Sequence, residues 1–262
     1  MEFIENIKYF MLCQKYNWKE FFTYRLQSLI WMIVSGFNVL IIYIPVTIIY
    51  TISSGIPGWT YFQLLLLSST ACFVLDSIWY LIIPREIVNS MRTGELDKYL
   101  LRPFDKITCI LSAYPGNLTG IVEIIGFLSL IIYCIINLNL PLTSIIIFFS
   151  TIAIGVAALT MMFLFITILA YKSMNSAQFT HSIINISIFS NSYPLGIYGN
   201  VIQLIFTLIL PIGFAVYYPV QVLLGMTNSI FTIILIFALA IIIIITKLGF
   251  DNIIKSYSSG GG

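Results

Sequence analysis

The densest gathering of side chains able to do polar chemistry in this sequence is one short stretch, Pro84 to Asp105, reading PREIVNSMRTGELDKYLLRPFD. It holds Arg85, Glu86, Arg92, Glu95, Asp97, Lys98, Arg102 and Asp105, with Lys106 just beyond. Charges of both signs at this density, with no cysteine, serine–histidine pair or metal-ligand spacing among them, suit recognition of another surface rather than bond-making. Outside the stretch, two acids stand inside apolar runs, Asp76 and Glu123. The single histidine, His181, has no acidic neighbour in sequence and reads as a polar helix contact. Cys13, Cys72, Cys109 and Cys134 form no CxxC pattern and read as small apolar residues, neither a disulfide frame nor a metal site. There is no GxxxxGK[ST], GxGxxG or HExxH motif.

The elements that must carry these residues are set by composition. The chain of 262 residues is 60% hydrophobic and only 8% charged, with a mean hydropathy of +1.02. Soluble domains carry about 25% charged residues, so the chain reads as an integral membrane protein. A net charge of +2 gives no electrostatic reason to expect nucleic acid as a partner. Runs of about 20 apolar residues, the length that spans a bilayer, fall at Leu26–Tyr50, Thr60–Ile83, Asn117–Ile136, Leu142–Ala170, Val201–Val222 and Ser229–Thr246. Pro115-Gly116 should kink or break the approach to the third, and Pro211 with Gly213 should interrupt the fifth.

Ahead of the first run, Phe3 to Arg25 has the pattern of a helix lying in the membrane plane. Phe3, Ile7, Phe10, Met11, Trp18, Phe21 and Phe22 share one face, and Lys8, Lys15 and Lys19 cluster at its edge, within reach of lipid phosphates. Trp18, Tyr24, Trp31, Trp59, Tyr61, Trp79 and Tyr80 fall near the expected interfaces, as an aromatic belt does.

The basic residues fix an orientation. Lys8, Lys15, Lys19 and Arg25 precede the first run; Arg85, Arg92, Lys98, Arg102 and Lys106 lie between the second and third. Lys172 follows the fourth, and Lys247 and Lys255 follow the sixth, which accounts for every Lys and Arg; the alternate loops have none. By the positive-inside rule both termini and the 84–105 stretch are expected in the cytoplasm. The segment Tyr171–Asn200, with Asn175, Gln178, His181, Asn185, Asn191 and Ser192-Tyr193-Pro194, admits two readings. It is a helical approach on the cytoplasmic side, or it is the fifth span, broken at Tyr193-Pro194, with Ile197–Val222 as a re-entrant outer element. Irregular backbone at membrane depth needs protein or a cavity around it.

Within the charged stretch, Pro84 is suited to open a helix, Ile87, Val88 and Met91 fall on one side, and Gly94 is suited to end it in a left-handed cap. A second short helix, Glu95 to Leu101, must stop before Arg102 because Pro103 disfavours helix at the preceding residue. Glu95 and Asp97 sit where its dipole favours negative charge. The expected product is a compact helix-turn-helix with an apolar and ionic surface, which either docks in a groove of a partner or is only a cytoplasmic cap on a helical hairpin.

The run Met91-Arg-Thr-Gly-Glu-Leu-Asp-Lys-Tyr-Leu-Leu-Arg-Pro103 resembles the hallmark of the ABC-2 type transporter permeases, close to (I/M)-R-x-G-E-L-D-x-x-L-L-R-P between the second and third spans. Tyr193-Pro194-Leu195, Leu210-Pro211, Tyr218-Pro219 and the tail Lys255 to Gly262 are similar to further elements of that family.

The resemblance implies an all-α membrane protein: a bundle of about six transmembrane helices with an N-terminal interfacial helix and a cytoplasmic coupling helix. It would form a single permease domain over 1–262, divided into 1–25, a first helical hairpin 26–83, the coupling segment 84–106, the remaining spans 107–250 and a tail 251–262. The implied function is the membrane subunit of an ATP-driven exporter in a bacterial plasma membrane. ATP and Mg would sit on two copies of a separate cytoplasmic ABC ATPase, and a second permease chain, identical or related, would complete the pathway. Arg92, Gly94, Glu95, Leu96, Asp97, Tyr99, Leu100, Arg102 and Pro103 are the expected coupling residues. Leu96, Tyr99 and Leu100 would serve as apolar contacts, and Arg92, Glu95 and Arg102 would set register.

Asp76 and Glu123 lie roughly 12 Å from the charged end at 1.5 Å per residue. They either line an inward-facing vestibule that attracts a cationic cargo, or are structural acids satisfied by Tyr80, Lys172 or His181. A secondary transporter or channel is the competing class; it would place ionisable residues near the midplane or show inverted repeats.

Overall fold

The computed structural model describes residues 2–52, 55–113, 116, 118–169, 176–227 and 229–255. The kink expected at Pro115, the side chains of Lys172, Asn175 and Asn191, and the tail signature from Ser256 onward lie outside the described residues.

The N-terminal sequence has no Gly or Pro to interrupt it and forms α1, Glu2–Phe21. Its Trp18 indole N–H donates to Tyr80 Oη at 3.4 Å and its ring stacks on Phe22, 5.6 Å centre to centre. A tight turn, held by the Ser28 hydroxyl on the Phe21 and Tyr24 carbonyls, leads into α2, Arg25–Ile52. Most of α2 is exposed on the single chain, as a helix facing lipid or a partner must be.

The centre of the bundle is α3, Tyr61–Leu81. It opens on a capping box in which Gln63 Oε1 accepts the Thr60 N–H at 2.9 Å. Leu64 to Leu67, Ala71, Val74 and Ile78 are all fully buried on it. Its hydroxyls do not break the apolar run because they bond back one turn: Ser69 to the Leu65 carbonyl at 2.6 Å and Thr70 to the Leu66 carbonyl at 2.7 Å. After α4, Pro84–Thr93, α5, Asp97–Leu100, and α6, Lys106–Ala113, the chain returns as α7, Gly120–Leu138. The pairing of α3 with α7 is the most extensive in the molecule. Asn139, at φ 49°, ends α7 in a left-handed cap.

The next helix, α8, Leu142–Leu169, meets α9, Ser176–Asn191, and also the last helix of the chain, Ser229–Lys255. Between α9 and that last helix lie α10, Asn200–Leu204, a single π turn at Ile205–Ile209, α11, Ile212–Ala215, and α12, Tyr217–Leu223; the last helix is therefore α13. It runs parallel to α8, with Leu235 and Leu239 against Ala158 and Gly249 against the Phe165 ring.

The described residues are mostly helical, with no strand among them. Among them, five helices are long and apolar enough to cross a membrane: Arg25–Ile52, Tyr61–Thr93 taken through Pro84, Gly120–Leu138, Leu142–Leu169 and Phe231–Lys255. The run Val201–Val222 is interrupted at Pro211, as expected. Asn200–Ile209 and Ile212–Leu223 meet at 73°, because Pro211 has no N–H to continue the ladder and the preceding turn is already widened.

Neighbouring side chains give the path. At one end of α9, His181 packs on Trp79 with ring centres 4.7 Å apart, close to the charged end of α3. Beyond the other end, the Ser192 carbonyl accepts the Ser68 hydroxyl at 2.7 Å, far along α3. Tyr217 then lies 6.2 Å from Trp59, ring to ring, at the end of α3 remote from the charged segment. These contacts place α9 along α3 and the bent pair toward the end of α3 remote from the charged segment, an arrangement compatible with the second of the two sequence readings. The elbow of the bent pair is covered by protein, with Gly155 of α8 so close that an added Cβ would sit 2.8 Å from Ala215 Cβ.

Candidate functional site

The charged stretch folds as its local chemistry directs. Pro84 occupies the first turn of α4, Glu86 stands in that turn, Arg92 in the last, and Gly94 closes the helix at φ 75°. Pro84, Ile87, Val88, Ser90 and Met91 are buried where α4 lies across α8 and α9. The chain then turns sharply, with the Leu96 N–H donating to the Ser90 carbonyl at 3.1 Å.

This turn corrects one expected contact. Leu96 is fully buried in the core of its own chain, so it anchors the segment and is not exposed to a docking partner. Tyr99 and Leu100 are half-buried, and Asp97 is half-buried in the first turn of α5. The open face carries Arg85, Glu86, Arg92, Glu95, Lys98, Arg102 and Pro103. At its crest is a residue the sequence reading passed over, Leu101, 85% exposed. The signal was present in the spacing: Leu96 and Leu100 are one turn apart and share an inward face, which puts Leu101 off that face.

Arg102 is held from within the chain. Its guanidinium lies 4.7 Å from the centre of the Tyr99 ring and 5.7 Å from that of Tyr9, and Nη1 donates to Tyr9 Oη. Tyr9 also stacks on Phe104, 4.3 Å between centres and 13° between planes. One turn before Tyr9 on α1, Asn6 Oδ1 accepts the Asp105 N–H at 3.1 Å. α1 is thus tied to the exit of the α4–α5 segment. Burial, together with a hydrogen bond to Cys13, raises the Tyr9 phenol above its ordinary pKa against the opposing pull of Arg102, so at neutral pH it is a neutral acceptor. Asn6, Tyr9 and Phe104 were not legible as a group because the contacts join distant parts of the chain.

The two intramembrane acids come together. The Asp76 and Glu123 carboxyl groups interact across α3 and α7, and Glu123 Oε1 accepts from Asn38 Nδ2 of α2 at 2.8 Å. Asp76 is only 8% exposed, and its Oδ2 has no hydrogen-bond partner. The partners expected from sequence are engaged elsewhere: Tyr80 with Trp18, His181 with Trp79 and with Asn185, whose Nδ2 lies 3.0 Å from Nδ1. Among the described residues, no three His, Cys, Asp or Glu side chains are placed to hold a metal ion.

A family model described as ABC-2 family transporter protein matches residues 36–261. The chain belongs to the ABC-2 transporter family. The match covers α3 to α13, including the coupling segment, Asp76 and Glu123, and begins within α2. Comparison with curated proteins and with solved structures returns no match. As an ABC-2 permease the chain is a multi-pass membrane subunit of an ABC transport system, and its family implies partnership with an ABC ATPase.

Proposed function

We propose that this ABC-2 permease forms half of an export pathway in a bacterial plasma membrane, with both termini and the α4–α5 segment in the cytoplasm. Two copies of an ABC ATPase bind ATP and Mg and seat two permease chains, identical or related. Each ATPase grips one α4–α5 segment. The observation that carries the reading is the division of that segment's surface: its apolar face, with Leu96, is consumed by its own bundle, while a charged ridge crested by Leu101 stays open.

Such a division suits force transmission. Glu95, Lys98 and Leu101 meet the ATPase, with Arg92, Arg102 and Pro103 along the same ridge. Because α4 is seated on α8 and α9 and Arg102 is bound to Tyr9, ATPase closure moves the segment as a rigid body and shifts α1, α3, α8 and α9 together. Asp76, Glu123 and Asn38 act as a polar clasp between α2, α3 and α7. That role is favoured over an open vestibule because Asp76 is buried and touches another side chain of the bundle.

Native mass spectrometry of the tagged chain, gently extracted from its host membrane, tests this. Two ATPase subunits bound to two permease-sized chains is the expected composition. A lone chain, or a homo-oligomer with no soluble partner even after crosslinking from Glu95→Cys, would overturn the reading and favour a channel.

A further inference from the structure

Beside the charged segment, α1, α6 and α13 border an open cleft of about 530 Å³, a size typical of small-ligand sites. The helix α1 rests on α6, and α13 forms the far wall through Lys247. The cavity stands at the bilayer surface, because α1 is the amphipathic interfacial helix and Lys247 lies two turns before the end of a membrane-spanning helix.

Its lining is divided in character. Ile7, Phe10 and Leu111 give one apolar side, and Ile7 is 47% exposed. Asn6, Asp105 and Lys247 give the polar side. Asp105 is fixed in place: its Oδ2 accepts from the Thr108 N–H at 3.2 Å and from the Thr108 hydroxyl at 3.4 Å. Asn6 uses its carbonyl oxygen on the Asp105 N–H, which leaves its amide nitrogen as a donor. Asp105 and Lys247 line one cavity, and no salt bridge joins them among the described residues.

A site with one cation and one anion held apart, an extra donor and an apolar wall, at headgroup depth, matches a zwitterion attached to a hydrocarbon chain. We propose that this cavity binds the headgroup of an aminophospholipid of the adjacent leaflet. The phosphodiester lies against Lys247 Nζ and the Asn6 amide, the ammonium group against the Asp105 carboxylate, and an acyl chain along Ile7, Phe10 and Leu111. The lipid fills the gap between the interfacial helix and the last span and ties the two ends of the chain to each other. An anionic lipid lacking the ammonium group would leave Asp105 facing a second negative charge. The proposal rests on the membrane placement of the chain and not on its coupling to an ATPase.

The test uses the full-length permease in nanodiscs of equimolar phosphatidylethanolamine and phosphatidylglycerol, with retained lipid counted by native mass spectrometry after release. The wild type should retain phosphatidylethanolamine in preference. Lys247→Gln should lower that retention about fivefold, the order expected for one basic residue at a bilayer surface. Asp105→Asn, which keeps an oxygen for Thr108, should preserve retention but erase the preference between the two lipids. Lys255→Gln, outside the cavity, should change neither. Equal retention of both lipids by the wild type would overturn the headgroup assignment. Unchanged retention in Lys247→Gln together with an unchanged lipid preference in Asp105→Asn, each confirmed as monodisperse and helical, would overturn the site.

Discussion

Two regions of this permease interrupt its apolar helices, the α4–α5 segment and the stretch from α9 through α12, and they are held in opposite ways. The first takes its turns from neighbours in sequence, Pro84 starting it and Gly94 turning it, and Leu96 then pins the finished piece to the bundle. The second takes its shape from distant helices: Ser68 holds Ser192, Trp59 meets Tyr217, and Gly155 makes room for Ala215. A segment built from local rules can move as one piece and keep its form, which suits a lever. One built on long-range contacts changes form when the helices around it shift, which suits the part of a pathway that must open.

Leu96 and Leu101, five residues apart in the α4–α5 segment, separate the two regions most clearly. Leu96→Ala should cost about 2–5 kcal/mol of stability, the range for emptying a fully buried site, read as a lower thermal unfolding temperature in detergent. Leu101→Ala should change that temperature little, within about 0.5 kcal/mol for an exposed position, yet weaken capture of the ATPase. If both behaved alike, the division of the segment's surface would be wrong.

Next in size is the hairpin bent at Pro211. Gly155→Leu would push on Ala215, where even a methyl group meets side chain and backbone. Overpacking of this kind costs about 1–3 kcal/mol, and the effect should appear as raised hydrogen exchange over 211–223 with α4 and α5 unchanged. Spread of the effect into the lever would show that the two regions are not mechanically distinct.

Smaller again, Gly94→Val forces a branched side chain into a left-handed turn, worth about 1–2 kcal/mol. It should lower coupled ATPase activity while leaving exchange in the hairpin as it was. The smallest effect is expected from Tyr9→Phe, which removes the acceptor for Arg102 but keeps both ring contacts, about 1 kcal/mol. Its readout is looser association of α1 with the coupling segment, followed by crosslinking between cysteines placed at Asn6 and Asp105.

The same contrast explains what could be read from the sequence. Helix ends and the cap at Gly94 were legible because proline, glycine and terminal charges act within a turn. The membrane-spanning runs were legible because hydrocarbon sets their length, and the family was legible from the resemblance carried by the run from Met91 to Pro103. Leu96 against Leu101 was open to helical spacing but was decided by which face the bundle covers. The tie of Tyr9 to Arg102, the meeting of Asp76 with Glu123 and Asn38, and the path of α9 along α3 depend on which helices are neighbours, and no local pattern encodes that. At Pro211 the break was visible in the sequence, while its consequence, a 73° bend, needed the rest of the fold.

The central claim is that the α4–α5 ridge, and not the exposed hairpin, receives the ATPase. A photo-crosslinking amino acid placed at Leu101, 85% exposed, and separately at Val201, 73% exposed, in the intact complex tests it most directly. A covalent adduct with the ATPase is expected from position 101 and none from position 201. An ATPase adduct from position 201, or none from position 101 in a complex that still contains the ATPase, would contradict it.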